Sequence, residues 1–410
     1  MKKIGLFLFG ICFALQMVAQ EQNYFTNPVI RGDVPDPSVI RIEDTYYATG
    51  TSSEWAPFYP MFTSKDLVNW KQVGHVFTKQ PSWTSNSFWA PELFYHNNKV
   101  YCYYTARQKS TGISYIGVAT SDSPLHEFTD HGPIVEYGKE AIDAFIYDDN
   151  GQLYISWKAY GLDTRPIELL GCKLSADGLH LDGEPFTLLV DEKGIGMEGQ
   201  YHFKEGDYYY IVYAAHGCCG PSSDYDVYVA RARNYGGPYE KYSGNPILHG
   251  GEGDYKSCGH GTVVRTSDGR MFYMCHAYLK GDGFFIGRQP ILQEMEMTDD
   301  HWVRFKTGNL AIAEQPIPFV GTKQEPLSDF EDNFKGNQLK VDWTWNYPYS
   351  DIHAVLKKGK LFLSGTPKNN NKYGTALCLR PQSPQYSCET KVINTGKGLK
   401  GLTLYGDVKT

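Results

Sequence analysis

From Tyr24 onward the chain alternates short runs of aromatic and β-branched residues with Gly, Asn and Asp turns. That is the pattern of strands rather than helices. One unit recurs. A polar turn leading into an aromatic strand stands at Glu43-Asp44-Thr45-Tyr46-Tyr47, Asn97-Asn98-Lys99-Val100-Tyr101 and Asp149-Asn150-Gly151-Gln152-Leu153-Tyr154. It returns at Glu205-Gly206-Asp207-Tyr208 and Ser267-Asp268-Gly269-Arg270-Met271-Phe272. A further strand follows most copies, at Pro60–Ser64, Ile116–Thr120, Leu170–Leu174 and Val227–Arg231. A β-rich repeat of roughly fifty to sixty residues matches one four-stranded blade. Five units predict an all-β fold, a five-bladed β-propeller over residues 21–322. A pair of β-sandwiches is the rival architecture, but it would carry no fixed period.

Beyond Pro326 the period is lost. Phe330–Phe334, Trp343-Thr344-Trp345, Leu361–Ser364 and Gly401–Tyr405 read as strands, with solvated turns at 357–360 and 368–372. Residues 323–410 are expected to form a β-sandwich accessory domain. At about 85 residues it is short for a sandwich of the usual hundred, so it is expected to be incomplete. At the other end, Lys2-Lys3, the apolar run Ile4–Val18 and Ala19-Gln20 form a secretory signal pattern, residues 1–20. A lipoprotein anchor on Cys12 is the weaker alternative, because bulky Ile11 stands where a small residue is wanted. The expectation is a secreted protein, periplasmic or extracellular, free of the membrane once the signal is removed.

Composition narrows the partners. A formal net charge of −7 argues against nucleic acid or an acidic membrane. The 31 Tyr, 21 Phe and 8 Trp suit pleated strands, and flat aromatic faces also suit sugar rings. Of nine cysteines, Cys12 falls in the signal. The remaining spacing builds no disulfide scaffold or zinc site, so buried free thiols are expected.

The polar residues then fall into phase with the repeat. Asp36, Asp143 and Glu198 each stand eight residues before the following turn, at Asp44, Gly151 and Gly206, and His260 stands nine before Gly269. Glu92, beside Trp89-Ala90-Pro91, stands six before Asn98. Singly, each acid has an ordinary explanation as a turn former or strand cap. In phase, they converge on a propeller axis, because the innermost strands line the central channel. Glycosidic hydrolysis needs two carboxyl groups across the scissile bond. A third can hold the acid's proton by like-charge repulsion.

The residues around these acids resemble glycoside hydrolase family 43. The resemblance lies in Asn27–Ser38, Phe88-Trp89-Ala90-Pro91-Glu92, Ala141-Ile142-Asp143-Ala144-Phe145 and Met197-Glu198-Gly199-Gln200. Gly259-His260-Gly261-Thr262 and Ile286-Gly287-Arg288-Gln289 complete it, over roughly residues 24 to 320. It implies a five-bladed propeller acting with inversion, with Asp36 as general base, Asp143 as pKa modulator and Glu198 as general acid. Ala144 and Gln200 stand where prolines are often found. The resemblance also implies that His260 lies on the axis beside a structural calcium, and that Arg288 contacts substrate or a catalytic carboxylate. Trp55 and Trp89 are expected to wall the sugar pocket. The implied activity is release of terminal α-L-arabinofuranosyl or β-D-xylosyl groups from plant cell-wall polysaccharide or oligosaccharide. Thr51–Pro57 and Ser64–Trp70 look like exo-acting members. Endo-arabinanase, galactosidase and a catalytically inactive sugar-binding propeller are the alternatives.

Overall fold

The computed structural model describes residues 23–371, 374–393, 396 and 398–405. The expected signal, residues 1–20, lies outside them.

Five four-stranded antiparallel sheets follow one another along the chain. Their innermost strands are Ser38–Ile42, Thr84–His96, Ala141–Asp149, Met197–Glu205 and Tyr255–Arg265. These contact one another in cyclic order, the fifth touching the first, which makes the sheets blades 1 to 5 of a closed propeller. The turns seen in the sequence set the register of each inner hairpin. His96 pairs with Lys99 and Asp149 with Gln152. That leaves Asn97-Asn98 and Asn150-Gly151 as two-residue turns with positive φ at both positions, which Asn and Gly tolerate.

The apolar residues of each blade pack against the next. Val34, Val39 and Tyr46 of blade 1 meet Phe272, Met274 and Leu292 of blade 5. Phe203, Tyr210 and Val229 of blade 4 meet Tyr255, Tyr273 and Ile291 of blade 5. Burial is thus shared between blades, so no blade is a separate folding unit. The ring closes through the segment before blade 1. Tyr24–Thr26 pairs with Glu314–Pro316. The Asn27 amide donates to the Leu292 carbonyl at 2.9 Å and accepts from the Leu292 N–H at 2.8 Å.

The C-terminal region carries fewer strands than its pattern predicts. Trp345–Asn346 pairs with Trp55–Ala56 of blade 1, and His353–Leu356 forms a hairpin with Leu361–Ser364. Phe330–Phe334 and Gly401–Tyr405 run without strand pairing. The region docks on blades 1 and 2. The Tyr347 ring packs edge-on against Phe58 and Phe88, and the Arg380 guanidinium donates to Gln72 at 2.7 Å.

Candidate active site

The innermost strands share one irregularity. Pairing skips around Ala90-Pro91 in blade 2, Asp143-Ala144 in blade 3, Gly199-Gln200 in blade 4 and His260 in blade 5. The first residue of each bulge has positive φ: Ala90 at 41°, Asp143 at 59°, Gly199 at 62° and His260 at 44°. Asp36, at 53°, takes the same place ahead of the first strand of blade 1. Four of these five are not glycine. Such strain persists only where the surroundings enforce it, and it clusters at functional sites. A bulge re-aims a side chain, and here the bulges bring several polar groups to one end of the channel.

Asp36, Asp143 and His260 meet there directly. His260 Nδ1 stands 3.5 Å from Asp36 Oδ1 and 3.8 Å from Asp143 Oδ2. Glu198 is one place out of this phase, level with Trp89 and Gly259 of blades 2 and 5, and the bulge position of blade 4 is Gly199. The Gly199 N–H donates to Asp143 Oδ2 at 3.1 Å. A Cβ at Gly199 would lie 2.6 Å from His260 Cγ, so positive φ and the imidazole both call for glycine. Glu92 is not part of the set. Ala90 holds the blade 2 position, and Glu92 follows two residues later, half-buried on the inner strand, where desolvation pushes its carboxyl up to about 8. Counting back eight residues from Asn98, as for Asp143 from Gly151, lands on Ala90, whereas Glu92 stands only six before it.

The three carboxyl groups have different surroundings. Asp36 is buried and accepts from Thr51 Oγ1 at 2.6 Å, with Arg288 Nη1 at 3.5 Å from its Oδ1. Burial alone would raise this carboxyl. Arg288, with His260 and His276, outweighs burial and holds it well below the usual range. His276 Nδ1 is 3.1 Å from both the Asp36 N–H nitrogen and Oδ1. It serves one at a time, accepting from the N–H when bare and donating to the carboxylate when protonated. Asp143 is also buried, and burial and the nearby Glu198 raise it against the pull of His260 and Lys158. Glu198 accepts from Lys158 Nζ at 2.8 Å and from the Tyr225 hydroxyl at 2.9 Å. Burial would raise it, but Lys158 reverses the sign and lowers it. Asp143 and Glu198 therefore titrate as a coupled pair, with burial raising Asp143 and Lys158 lowering Glu198. The expectation that Asp143 keeps Glu198 protonated meets an opposing charge on Lys158.

The remaining candidates fall close by. Trp89 is half-buried on the inner strand of blade 2, and half-buried Trp55 lies on a blade 1 loop with its ring 5.9 Å from that of Tyr405. Sequence reasoning missed Thr51, Lys158, Tyr225 and His276, which sit on second strands or in the loops beyond them. Gln200 also gains a role: its amide donates to the Asp143 carbonyl at 2.5 Å and to Ser156 Oγ at 3.3 Å. A proline there could do neither.

The donors around His260 make a poor calcium cage. Calcium takes six to eight oxygen ligands. Here an imidazole nitrogen faces two carboxylates already engaged with Thr51, Arg288 and Gly199. Among the described residues no group of three or more His, Cys, Asp or Glu is set to hold an ion, and no step below passes through one. Cys218 and Cys219 are bonded to each other, against the expectation of free thiols. Cys102, Cys172, Cys258 and Cys275 are free and buried. A cleft of about 610 Å³ lies on the outer strands of blades 3 and 4, lined by residues including Leu189, Glu192, Tyr239 and Lys241. It holds none of the three acids.

Comparison with known proteins decides the family. The family model for glycosyl hydrolases family 43 matches residues 25–303, the whole propeller up to its last strand. The chain belongs to glycosyl hydrolases family 43. It is a glycoside hydrolase. Over 92% of its length it is 28% identical to a xylan 1,3-beta-xylosidase of a Vibrio species, spanning 76% of that protein. Over 90% of its length it is 28% identical to a non-reducing end alpha-L-arabinofuranosidase of Bacteroides ovatus, spanning 69% of it. The fold matches that of a family-43 protein from Bacillus licheniformis with a TM-score of 0.73, at 24% identity, covering 88% of this chain and 72% of that one.

Proposed function

We propose that this family-43 enzyme is an exo-acting, inverting hydrolase that releases terminal α-L-arabinofuranosyl or β-D-xylosyl groups from plant polysaccharide or oligosaccharide. The observation that carries this reading is the convergence of three carboxyl groups, two of them lowered by neighbouring cations and one raised by burial. Asp36 is ionised by Arg288 and the two histidines, which suits a base that activates water. Glu198 is the more exposed of the two glutamates beside Lys158 and suits the proton donor to the leaving oxygen. Asp143 lies between them and holds the proton when Glu198 does not. Its N–H, carbonyl and carboxylate are each hydrogen-bonded, to Thr105, Gln200 and Gly199. Such anchoring suits a modulator rather than a group that moves. The names of the relatives support pentose substrates of both kinds.

The same reading places the enzyme outside the cytoplasm after removal of residues 1–20. The signal pattern and the Cys218–Cys219 bond both suit an oxidising compartment. Among the described residues no helix is long and apolar enough to cross a membrane.

Hydrolysis of aryl α-L-arabinofuranoside and aryl β-D-xyloside tests the activity, and a linear pentose oligosaccharide tests its mode. We expect turnover of at least one aryl glycoside and release of monosaccharide from the oligomer. Mixed internal fragments would show an endo-enzyme. Binding without turnover of any substrate would show a lectin-like propeller.

A further inference from the structure

Lys158 lies on the second strand of blade 3, opposite Ile142. Ile142 holds the register place in blade 3 that Glu198 holds in blade 4. The lysine therefore stands level with Glu198 on the neighbouring blade. Its Nζ is 2.8 Å from Glu198 Oε2 and 3.8 Å from Glu140 Oε1. All three side chains are largely buried, exposed by 13%, 18% and 11% for Lys158, Glu198 and Glu140. A Cβ at Gly161 would lie 2.0 Å from Glu140 Oε1 and 2.9 Å from Lys158 Cε, so glycine there leaves room for the pair.

We propose that Lys158 is a positioning residue shared between Glu140 and Glu198, and that it governs which carboxyl of the site carries the proton. The inference rests on the reading of Glu198 as the general acid. A general acid alternates between carboxylate and neutral acid. A buried ammonium needs an anion throughout. Were Glu198 its sole partner, each protonation would leave Lys158 uncompensated. Glu140 removes that conflict, because the ammonium keeps an anionic neighbour while Glu198 is neutral. Lys158 leans toward Glu198. When Glu198 takes the proton, Asp143 and Glu140 are the carboxylates left beside the ammonium, and Glu140 is the one within ion-pair distance.

The other charged and titratable groups facing this unit are few. Asp143 faces Glu198 from blade 3, Tyr225 from blade 4 and His260 from blade 5. Asp163, itself paired with Lys139 at 2.8 Å, faces Glu140. Burial raises Glu140 and Lys158 opposes it.

The test is the pH dependence of kcat/KM for wild type, Lys158→Met, Lys158→Gln, Lys158→Arg and Glu140→Gln on a natural pentose oligosaccharide. The alkaline limb reports loss of the acid's proton. Removing the ammonium makes the Glu198 carboxylate less favourable, so Lys158→Met and Lys158→Gln should move the limb to higher pH. Removing Glu140 leaves the ammonium wholly on Glu198, so Glu140→Gln should move it to lower pH. Each shift should be on the order of one pH unit, the low end for an adjacent opposite charge. Lys158→Arg should stay near wild type. A structural role alone would lower kcat without moving the limb, and that outcome, or shifts of the same sign in the lysine and Glu140 variants, overturns the proposal. Glu198→Ala on a dinitrophenyl glycoside separates the two readings. If that variant is as inactive on the dinitrophenyl glycoside as on oligosaccharide, the assignment of Glu198 as acid has failed. If it keeps its activity on the dinitrophenyl glycoside, yet Lys158→Met and Lys158→Gln leave the limb on oligosaccharide unmoved, only the lysine proposal has failed.

Discussion

Replacing Asp36 with alanine is expected to abolish turnover of natural and activated substrates alike. The water that attacks the anomeric carbon must lose a proton whatever the leaving group is, so no substrate escapes the need for the base. The loss should lie at the upper end of the 10²–10⁴-fold range typical of general acid–base catalysis. Two features of the site favour that upper end. Arg288 and the histidines hold Asp36 ionised, so wild type keeps the whole population in the active form. Removal also takes from the Arg288 guanidinium, 14% exposed, its ion-pair partner and leaves Asp33 as the remaining carboxylate acting on it, and a partly uncompensated buried charge is costly. Asp36→Asn keeps the shape and the Thr51 contact while removing the base. It should be nearly as inactive, and steady-state kinetics on oligosaccharide and dinitrophenyl glycoside measure both variants.

Glu198→Ala should behave differently. Sugar alkoxides leave poorly without a proton, and a dinitrophenolate leaves without one. Activity on oligosaccharide should fall by about 10²–10⁴-fold. Activity on the dinitrophenyl glycoside should stay within about tenfold of wild type, because the base and its partners are untouched. The variant also frees Lys158 and the Tyr225 hydroxyl, so its melting temperature should be checked beside its kinetics. If Glu198→Ala is as inactive as Asp36→Ala on the dinitrophenyl substrate, Glu198 is not the acid.

Much of this site was legible before any coordinates, because a propeller turns sequence period into spatial convergence. Asp36 and Asp143 share a phase and do meet around His260. The count was less reliable by one or two residues. It set Glu198 in strict phase where Gly199 holds the bulge, and it offered Glu92 where Ala90 does. Glu198 falls out of phase because Gly206 is the first residue of its turn, where Asn98 and Gly151 are the second of theirs. Glu92 stands six residues before Asn98, where the shared position stands eight. The groups that set the charge states were hidden for another reason. Lys158, Thr51, Tyr225 and His276 reach the acids through strand pairing and loop return; no motif marked three of them, and Thr51 stood only at the start of a stretch read for exo action. The C-terminal region was read from local pattern alone, with no repeat to check it. There the strand at Trp345–Asn346 formed by pairing with blade 1, and two other expected stretches, Phe330–Phe334 and Gly401–Tyr405, formed no strand.

The central claim is that Asp36 delivers water directly to the anomeric carbon while Glu198 protonates the leaving oxygen. Proton NMR of the first sugar released, recorded before mutarotation, tests it most directly. A single displacement by water gives the anomer opposite to that of the substrate, α-xylose from a β-xyloside. Release of the β-anomer would mean two displacements through a covalent intermediate, and would contradict the role of Asp36 as a base.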